Sequence, residues 1–486
     1  MSHTFLFHDY ETFGADPRRD RPSQFAAIRT DADFNEIGEP VVLFCKVSDD
    51  YLPHPAACVL TRITPQKANR RGLPEIEFAE AVHAMMCEPN SCVLGYNSLR
   101  FDDEVTRHLF YRNLLDPYGR EWQNGNSRWD LIDVVRAFYA LRPEGIEWPM
   151  RELPDGRKAP SFKLEHLTAA NGIPHEGAHD ALSDVRATIA LAKLLRAANP
   201  RLFDYLFSLR SKHKVNEMLD VVARRPVVHV SRRYPAAQGC SALVVPLARH
   251  PSNPNGIIVC DLSVDPTPLQ TLTAEQIRER VFISNDDLPE GETRIPLKVI
   301  HANRCPVVLP IKALDVAAAE RLGLDKTAAE QHWQQLVADP TLMGKVSAVF
   351  DKAHPDDESP DPDTMLYSGS FFSASDKREM AQVHQRESGW DLVGMAPAFQ
   401  DLRLPEMLFR VRARSYPDTL ETAERQQWEA FRWERFNDAQ HSALTLTNFA
   451  REIERYNQQD LTPEVRQILE EVVMHVESIM PSQAFE

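Results

Sequence analysis

The sequence predicts an α/β domain followed by a β-rich module and an all-helical module, on three observations. Apolar runs alternate with helix-spaced patterns over the first 200 residues, short apolar runs recur between 226 and 310, and residues 373 to 480 are almost wholly helical in period. A chain of 486 residues also exceeds the roughly 250 to 300 at which one hydrophobic core stops growing. Boundaries are placed at 1–200, 201–354 and 355–486.

Within the first segment, Thr4 to Tyr10 has the continuous apolar character of a buried central strand, and Ala26 to Thr30 with Val41 to Val47 extend it as an antiparallel meander. Glu77 to Met86 is amphipathic and helical, Cys92 to Tyr96 is a short strand, and Asp103 to Arg112 is a helix. Asp180 to Ala197 closes the segment as a helix with an acid placed as its cap and Asn199-Pro200 as its stop. Five runs then suggest a small barrel or sandwich: Val227 to Val230, Leu243 to Leu247, Ile257 to Leu262, Pro296 to Ile300 and Pro306 to Leu309. Helical stretches follow at Ala317 to Leu322 and Ala328 to Ala338, and the acidic, proline-containing run at 355 to 363 reads as a linker. Ala423 to Phe436, Leu444 to Tyr456 and Pro463 to Ile479 are helical segments of the third module.

Composition narrows the function classes. No stretch approaches the ~20 apolar residues of a membrane span, and the N-terminal MSHTFLFHDYETFG lacks the marks of a secretory signal. The seven cysteines are scattered and never form a CxxC pair, which argues against a disulfide framework or a structural zinc site and fits a cytoplasmic protein with buried thiols. A net charge of −16 speaks against a nucleic-acid partner when taken alone. Its distribution says otherwise: residues 201 to 233 carry eight Lys or Arg against three acids.

Three motifs carry the chemistry. In His8-Asp9-Tyr10-Glu11, residues two apart on a strand share a face, so Asp9 and Glu11 present paired carboxylates. In the segment from Leu94 to Glu104 a strand passes through a turn into a helix with Asp102 and Asp103 at the junction, where either could be a helix cap. In His179-Asp180-Ala181-Leu182-Ser183-Asp184, a histidine precedes a helix and an acid lies inside it. Each taken singly has an ordinary reading as a solvated strand end, a cap or a surface histidine. Together, in this order and on these elements, they resemble the DEDDh exonuclease superfamily.

That resemblance implies an RNase H-like nuclease domain, a mixed sheet flanked by helices, in which Asp9, Glu11, Asp102 and Asp184 hold two Mg²⁺ ions, with Mn²⁺ a substitute, and His179 takes the proton from the attacking water. Asp103 and Asp180 are the runner-up acids. Further segments are similar to the bacterial exonuclease I family: FLFHDYETFG, RPSQFAAIRTD, FDDEVTRHLFYRNLLDPY, NSRWDLIDVVRAFYALRPEGIEWP and LEHLTAANGI, then RLFDYLF, HWQQLVADP and MLFRVRAR. The similarity spans essentially the whole chain and is strongest over residues 1 to 210. It implies an SH3-like second domain and a helical C-terminal domain, and processive 3′-to-5′ hydrolysis of single-stranded DNA to 5′-mononucleotides in repair and recombination, by a monomer.

For the strand path the resemblance points to Arg107, Arg136 and Lys163 for phosphates and sugars and to Tyr118 and Trp122 for base stacking, with Glu11 also touching substrate. Lys163 stands where the family has arginine, which keeps the charge and loses the guanidinium fork. The family also docks the C-terminal tail of the single-stranded-DNA-binding protein, at a surface that here contains Arg142 and Tyr205. Asp315 and Pro310 replace the family's arginine and glutamine there, and Lys312 is a candidate to compensate. Two other readings remain open from the residues: an RNA 3′-processing enzyme using the same ions, and a binding protein on a nuclease scaffold.

Overall fold

The structure, a computed structural model, describes residues 3–154, 156–175, 180–283, 287–288, 292–351, 361–395 and 397–481. Contacts divide the chain into two compact units. The first comprises Met1–Arg128, His175–Arg186 and Asp356–Glu486, and the second Trp129–Pro174 and Ala187–Pro355.

In the first unit, β1 (Thr4–Thr12) is flanked by β2 (Pro22–Thr30) and, beyond it, β3 (Val41–Phe44), with β4 (Ser91–Gly95) on its other side. A further strand, β5 (Ser127–Asp130), completes the order β3-β2-β1-β4-β5 as the chain leaves this unit. β1 pairs antiparallel with β2 and parallel with β4, so the sheet is mixed. β1 is buried on both faces, which is why its apolar residues do not alternate cleanly with polar ones. β2 starts four residues before the Ala26 expected from composition, because the buried polar residues Ser23 and Gln24 continue the ladder, with Gln24 opposite Glu11. β3 stops at Phe44, short of the expected Val47.

Helix Asp102–Arg112 lies against this sheet and buries every residue except Glu104. Its Val105, Leu109 and Phe110 pack with Leu6, Tyr10, Phe25 and Val93 of the strands. Two short helices, Pro55–Thr61 and Pro65–Arg71, have no long apolar period and escape the sequence reading.

The C-terminal helices share cores with the sheet. Phe13, Phe44, Tyr51 and Cys58 pack with Phe436, Phe449 and Val472, while Ile76, Tyr111 and Leu114 pack with Met380, Leu404 and Met407. A buried ionic cluster joins the same parts. Asp50 meets Arg414 Nε at 3.0 Å and Arg435 Nη1 at 3.4 Å, while Asp361 and Asp363 are ion-paired to Arg410 and Arg414. Burial alone would raise Asp50 and Asp363, but the arginines outweigh it and hold both below the usual carboxylate range. The acidic run expected to be a linker is therefore corrected in part: Asp361 and Asp363 are buried counter-charges for two helices, and residues 355 to 360 lie outside the described residues.

The second unit contains a two-stranded pair, β6 (Met150–Glu152) and β7 (Lys158–Pro160), and then β8 (Val227–Val230), β9 (Ser241–Arg249), β10 (Gly256–Asp261), β11 (Leu297–His301) and β12 (Val307–Pro310). The latter five form one antiparallel sheet in the order β11-β10-β9-β8-β12. Asn199-Pro200 does end helix Ala181–Ala198, but Asn199 also caps a new helix, Pro200–Ser208, through its side chain on Leu202 N–H. All seven cysteines are free, and Cys87 is the one that is not fully buried. Among the described residues no helix is long and apolar enough to cross a membrane.

Candidate metal centre and nucleic-acid surfaces

Asp9 and Glu11 sit two apart on β1, next to a bulge between Glu11 and Thr12, and Asp184 lies in the first turn of helix Ala181–Ala198. One carboxylate oxygen from each falls within 4.8 Å of the others, the one such group found among the described residues. Glu11 is 8% exposed, and Asp9 and Asp184 are partly buried. Asp102 starts its helix beside them and accepts the Tyr10 backbone N–H at 3.1 Å, which ties that helix to β1 between the two strand carboxylates.

Electrostatics mark the group as one that needs cations. Burial and then the charges of Asp102, Glu11 and Asp184 push Asp9 well above the usual carboxylate range. Burial, Asp184 and Asp102 raise Glu11 to about 9. Carboxylates so placed stay ionised near neutral pH when positive charge is supplied. The donors are all oxygen, which fits Mg²⁺ or Mn²⁺ better than a soft-ligand metal.

Asp103 and Asp180 behave differently. Asp103 is 2% exposed and receives Arg120 Nη2 at 2.7 Å and Arg128 Nη1 at 2.8 Å. Despite its burial, those guanidiniums hold it well below the usual range, so it is a structural ion pair. Asp180 is exposed and accepts the Ser183 N–H at 3.3 Å, as a helix cap does. His179 lies outside the described residues.

His175, which no sequence period singles out, places Nε2 2.5 Å from Asp184 Oδ1. Beside Glu11 opens a cavity of about 700 Å³ whose walls include Arg19, His54, Leu60 and Phe101. Burial disfavours a charged ring at His54, but Asp20 and Glu452 outweigh it and raise the imidazole to about 9, so a cation faces this cavity near neutral pH.

The predicted strand contacts of the first unit divide. Arg107 is 5% exposed and bonded to both oxygens of Glu121, at 2.7 and 2.9 Å, and to Glu104 at 2.8 Å. Arg107, expected to contact phosphates or sugars, has its guanidinium held by these two carboxylates and lies 5.5 Å from the centre of the Tyr118 ring. Tyr118 is half-buried, whereas Trp122 is 67% exposed. Sequence reasoning missed two more rings, Phe371, 84% exposed and edge-on to Tyr118 at 5.9 Å, and Tyr367, whose hydroxyl donates to Glu104. Exposed aromatic residues in a polar segment were the available signal.

In the second unit, Arg136 and Lys163 line a groove of about 710 Å³ together with Arg151, Phe162, Arg232 and Arg233. Arg136 is held by Asp133 at 2.5 Å and lies 5.8 Å from the Phe162 ring centre, while Lys163 is exposed beside Glu165 at 3.2 Å. Arg142 and Tyr205 line a smaller cavity of about 360 Å³ with Leu202, Leu309 and Pro310. Arg142 Nη1 is 3.3 Å from Asp315 Oδ2, and Tyr205 donates to Val308 O at 3.1 Å. Lys312 lines a different cavity, with Lys326.

A mixed sheet with two carboxylates on its central strand, joined by acids from two helices, defines a nuclease domain of the exonuclease class, and the family model described as Exonuclease matches residues 6–192. The models of the Exonuclease I SH3-like domain and the Exonuclease I C-terminal domain match residues 210–352 and 360–479. The chain is 49% identical over 425 residues to exodeoxyribonuclease I of Escherichia coli, covering 87% of this chain and 88% of that protein. Among solved structures it is similar to exonuclease I of Methylocaldum szegediense, with a TM-score of 0.93 and 48% identity over 98% of this chain and 100% of that one. A zinc-bound complex of E. coli exonuclease I with single-stranded DNA gives a TM-score of 0.92 and 44% identity over 99% of this chain and 100% of that one. The chain belongs to the exonuclease I family.

Proposed function

We propose that this protein hydrolyses single-stranded DNA processively from the 3′ end, releasing 5′-mononucleotides, and serves DNA repair and recombination. The observation that carries this reading is the convergence of Asp9, Glu11 and Asp184, with Asp102 alongside, in a cluster whose own repulsion calls for cations. Two Mg²⁺ ions, or Mn²⁺ in their place, would supply there the charge that holds the attacking and leaving oxygens of an in-line displacement. Asp9, Glu11, Asp102 and Asp184 are the residues that would hold them. Glu11 also faces the cavity of about 700 Å³, so it can touch the terminal nucleotide. His179 takes the proton from the attacking water in this reading.

Tyr118, Trp122 and Phe371 offer ring faces and edges to unpaired bases, a contact tolerant of sequence and unavailable to bases stacked in a duplex. Arg136 and Lys163, with Arg151, Arg232 and Arg233, supply cations to the phosphates. The single-stranded-DNA complex of the E. coli relative supports DNA as the substrate. Arg142 and Tyr205 remain the proposed seat for the tail of the single-stranded-DNA-binding protein, with Asp315, 3.3 Å from Arg142 Nη1, competing for the guanidinium.

The experiment compares release of mononucleotides from matched single-stranded DNA and RNA in Mg²⁺ by the wild type and Asp184→Ala. DNA turnover that is abolished in a folded Asp184→Ala protein is expected. Preferred RNA turnover overturns the substrate, and full activity in the variant overturns the metal centre.

A further inference from the structure

Two of the four clustered acids are seated on β1, and a third, Asp102, is anchored by the Tyr10 backbone N–H at 3.1 Å. Asp184 arrives from a separate element. Its backbone N–H is fixed by Asp180 O at 3.1 Å, which leaves the side-chain torsions to be set by what the carboxylate meets. What it meets on one side is like charge, the carboxylates of Asp9 and Glu11 within 4.8 Å. Coulomb repulsion alone would swing the carboxylate away from its neighbours.

We propose that His175 is a positioning residue for Asp184, holding Oδ1 by a hydrogen bond from its ring so that Oδ2 is left for a cation. Nε2 stands 2.5 Å from Oδ1, and the His175 side chain is 6% exposed against 19% for Asp184, so water competes poorly for this bond. The tautomer with its proton on Nε2 donates to the carboxylate, removing one rotamer choice and one lone pair from the chemistry. Outer partners of this kind typically set ligand orientation and carry about 10- to 100-fold in metal affinity. The role presupposes that Asp184 holds a cation, as proposed above.

Calorimetric titration of Mn²⁺ into wild type, His175→Ala, His175→Gln, His175→Asn and Asp184→Ala separates the two ideas, with the rate at saturating Mg²⁺ measured in parallel. His175→Ala is expected to weaken Mn²⁺ about 10- to 100-fold while kcat at saturating metal stays within a few-fold. His175→Gln, whose side-chain amide can take the place of Nε2, should recover most of the affinity, and the shorter His175→Asn should not. Wild-type Mn²⁺ affinity in His175→Ala alongside its loss in Asp184→Ala overturns the positioning role and leaves the metal centre standing. Wild-type affinity in Asp184→Ala overturns the metal centre itself. Should His175→Ala fail to fold, equal affinity in the Gln and Asn variants overturns the positioning role, and so does a kcat collapse at saturating metal with unchanged affinity.

Discussion

Removing the charge of Glu11 should stabilise the metal-free protein and cripple the loaded one. The folded state raises Glu11 from 4.5 to about 9, first through burial and then through Asp184 and Asp102. A carboxyl raised on folding binds its proton more tightly in the native state, so stability falls as pH climbs from the unfolded value toward the folded one. At about 1.4 kcal/mol per pH unit the ceiling is ~6 kcal/mol. Titration shared among neighbouring acids lowers this, because a proton on any one relieves the rest, and about 2 kcal/mol is the working figure. Glu11→Gln should therefore melt about 4 °C above wild type at pH 8 in EDTA, with the gap closing toward pH 5, where the wild-type side chain is protonated in the folded protein. Adding Mn²⁺ should reverse the order, since the amide is a poorer ligand. Differential scanning fluorimetry across pH 5 to 9, with and without Mn²⁺, reads all of this. A variant that melts below wild type at pH 8 in EDTA, or a gap independent of pH, refutes the reasoning.

Asp103→Ala takes from the buried Arg120 and Arg128 the carboxylate they share at 2.7 and 2.8 Å and leaves them only the more distant Glu121, and breaking a buried pair in this way costs about 3 to 5 kcal/mol; a chemical-denaturation midpoint equal to wild type would contradict it. Trp122→Ala and Phe371→Ala should each weaken binding of a short oligothymidylate by about 1 to 3 kcal/mol with little change in the salt slope, whereas Lys163→Ala should flatten that slope; fluorescence anisotropy at several salt concentrations distinguishes the two, and ring variants that alter only the slope would remove the stacking assignment.

How much of this could be read from the chain depends on whether a residue's neighbours are local. Asp9 and Glu11 are legible because two-residue alternation on a strand places them together without knowledge of any other element. Asp102 and Asp103 are adjacent at a helix start, and what separates them is the approach of Arg120 and Arg128 to one and of the Tyr10 N–H to the other. Those are tertiary facts. His175 sits in a loop without a period, so its partner Asp184 is invisible from spacing. Arg107 has the surface charge that a phosphate contact needs, yet Glu104 and Glu121 fold around it. Asp361 and Asp363 read as part of a linker in sequence, and arginines of the helix Arg403–Ser415, some fifty residues further on, enclose them. The short strand extension at Ser23 and Gln24 is hidden for a related reason: a buried polar residue in a ladder has no hydrophobic signature.

The shared cores between the sheet and the C-terminal helices bear on how this enzyme can be taken apart. Severing the chain near residue 355 would strip Phe13, Phe44 and Tyr51 of their cover and take Arg414 and Arg435 from the buried Asp50, leaving it Arg21 at 3.9 Å. A minimal catalytic fragment made that way would be a sticky, charge-frustrated remnant. Recombination that exchanges the last quarter for that of a distant relative must carry the matching acids and rings with it, which binds the evolution of the two regions into one heritable block.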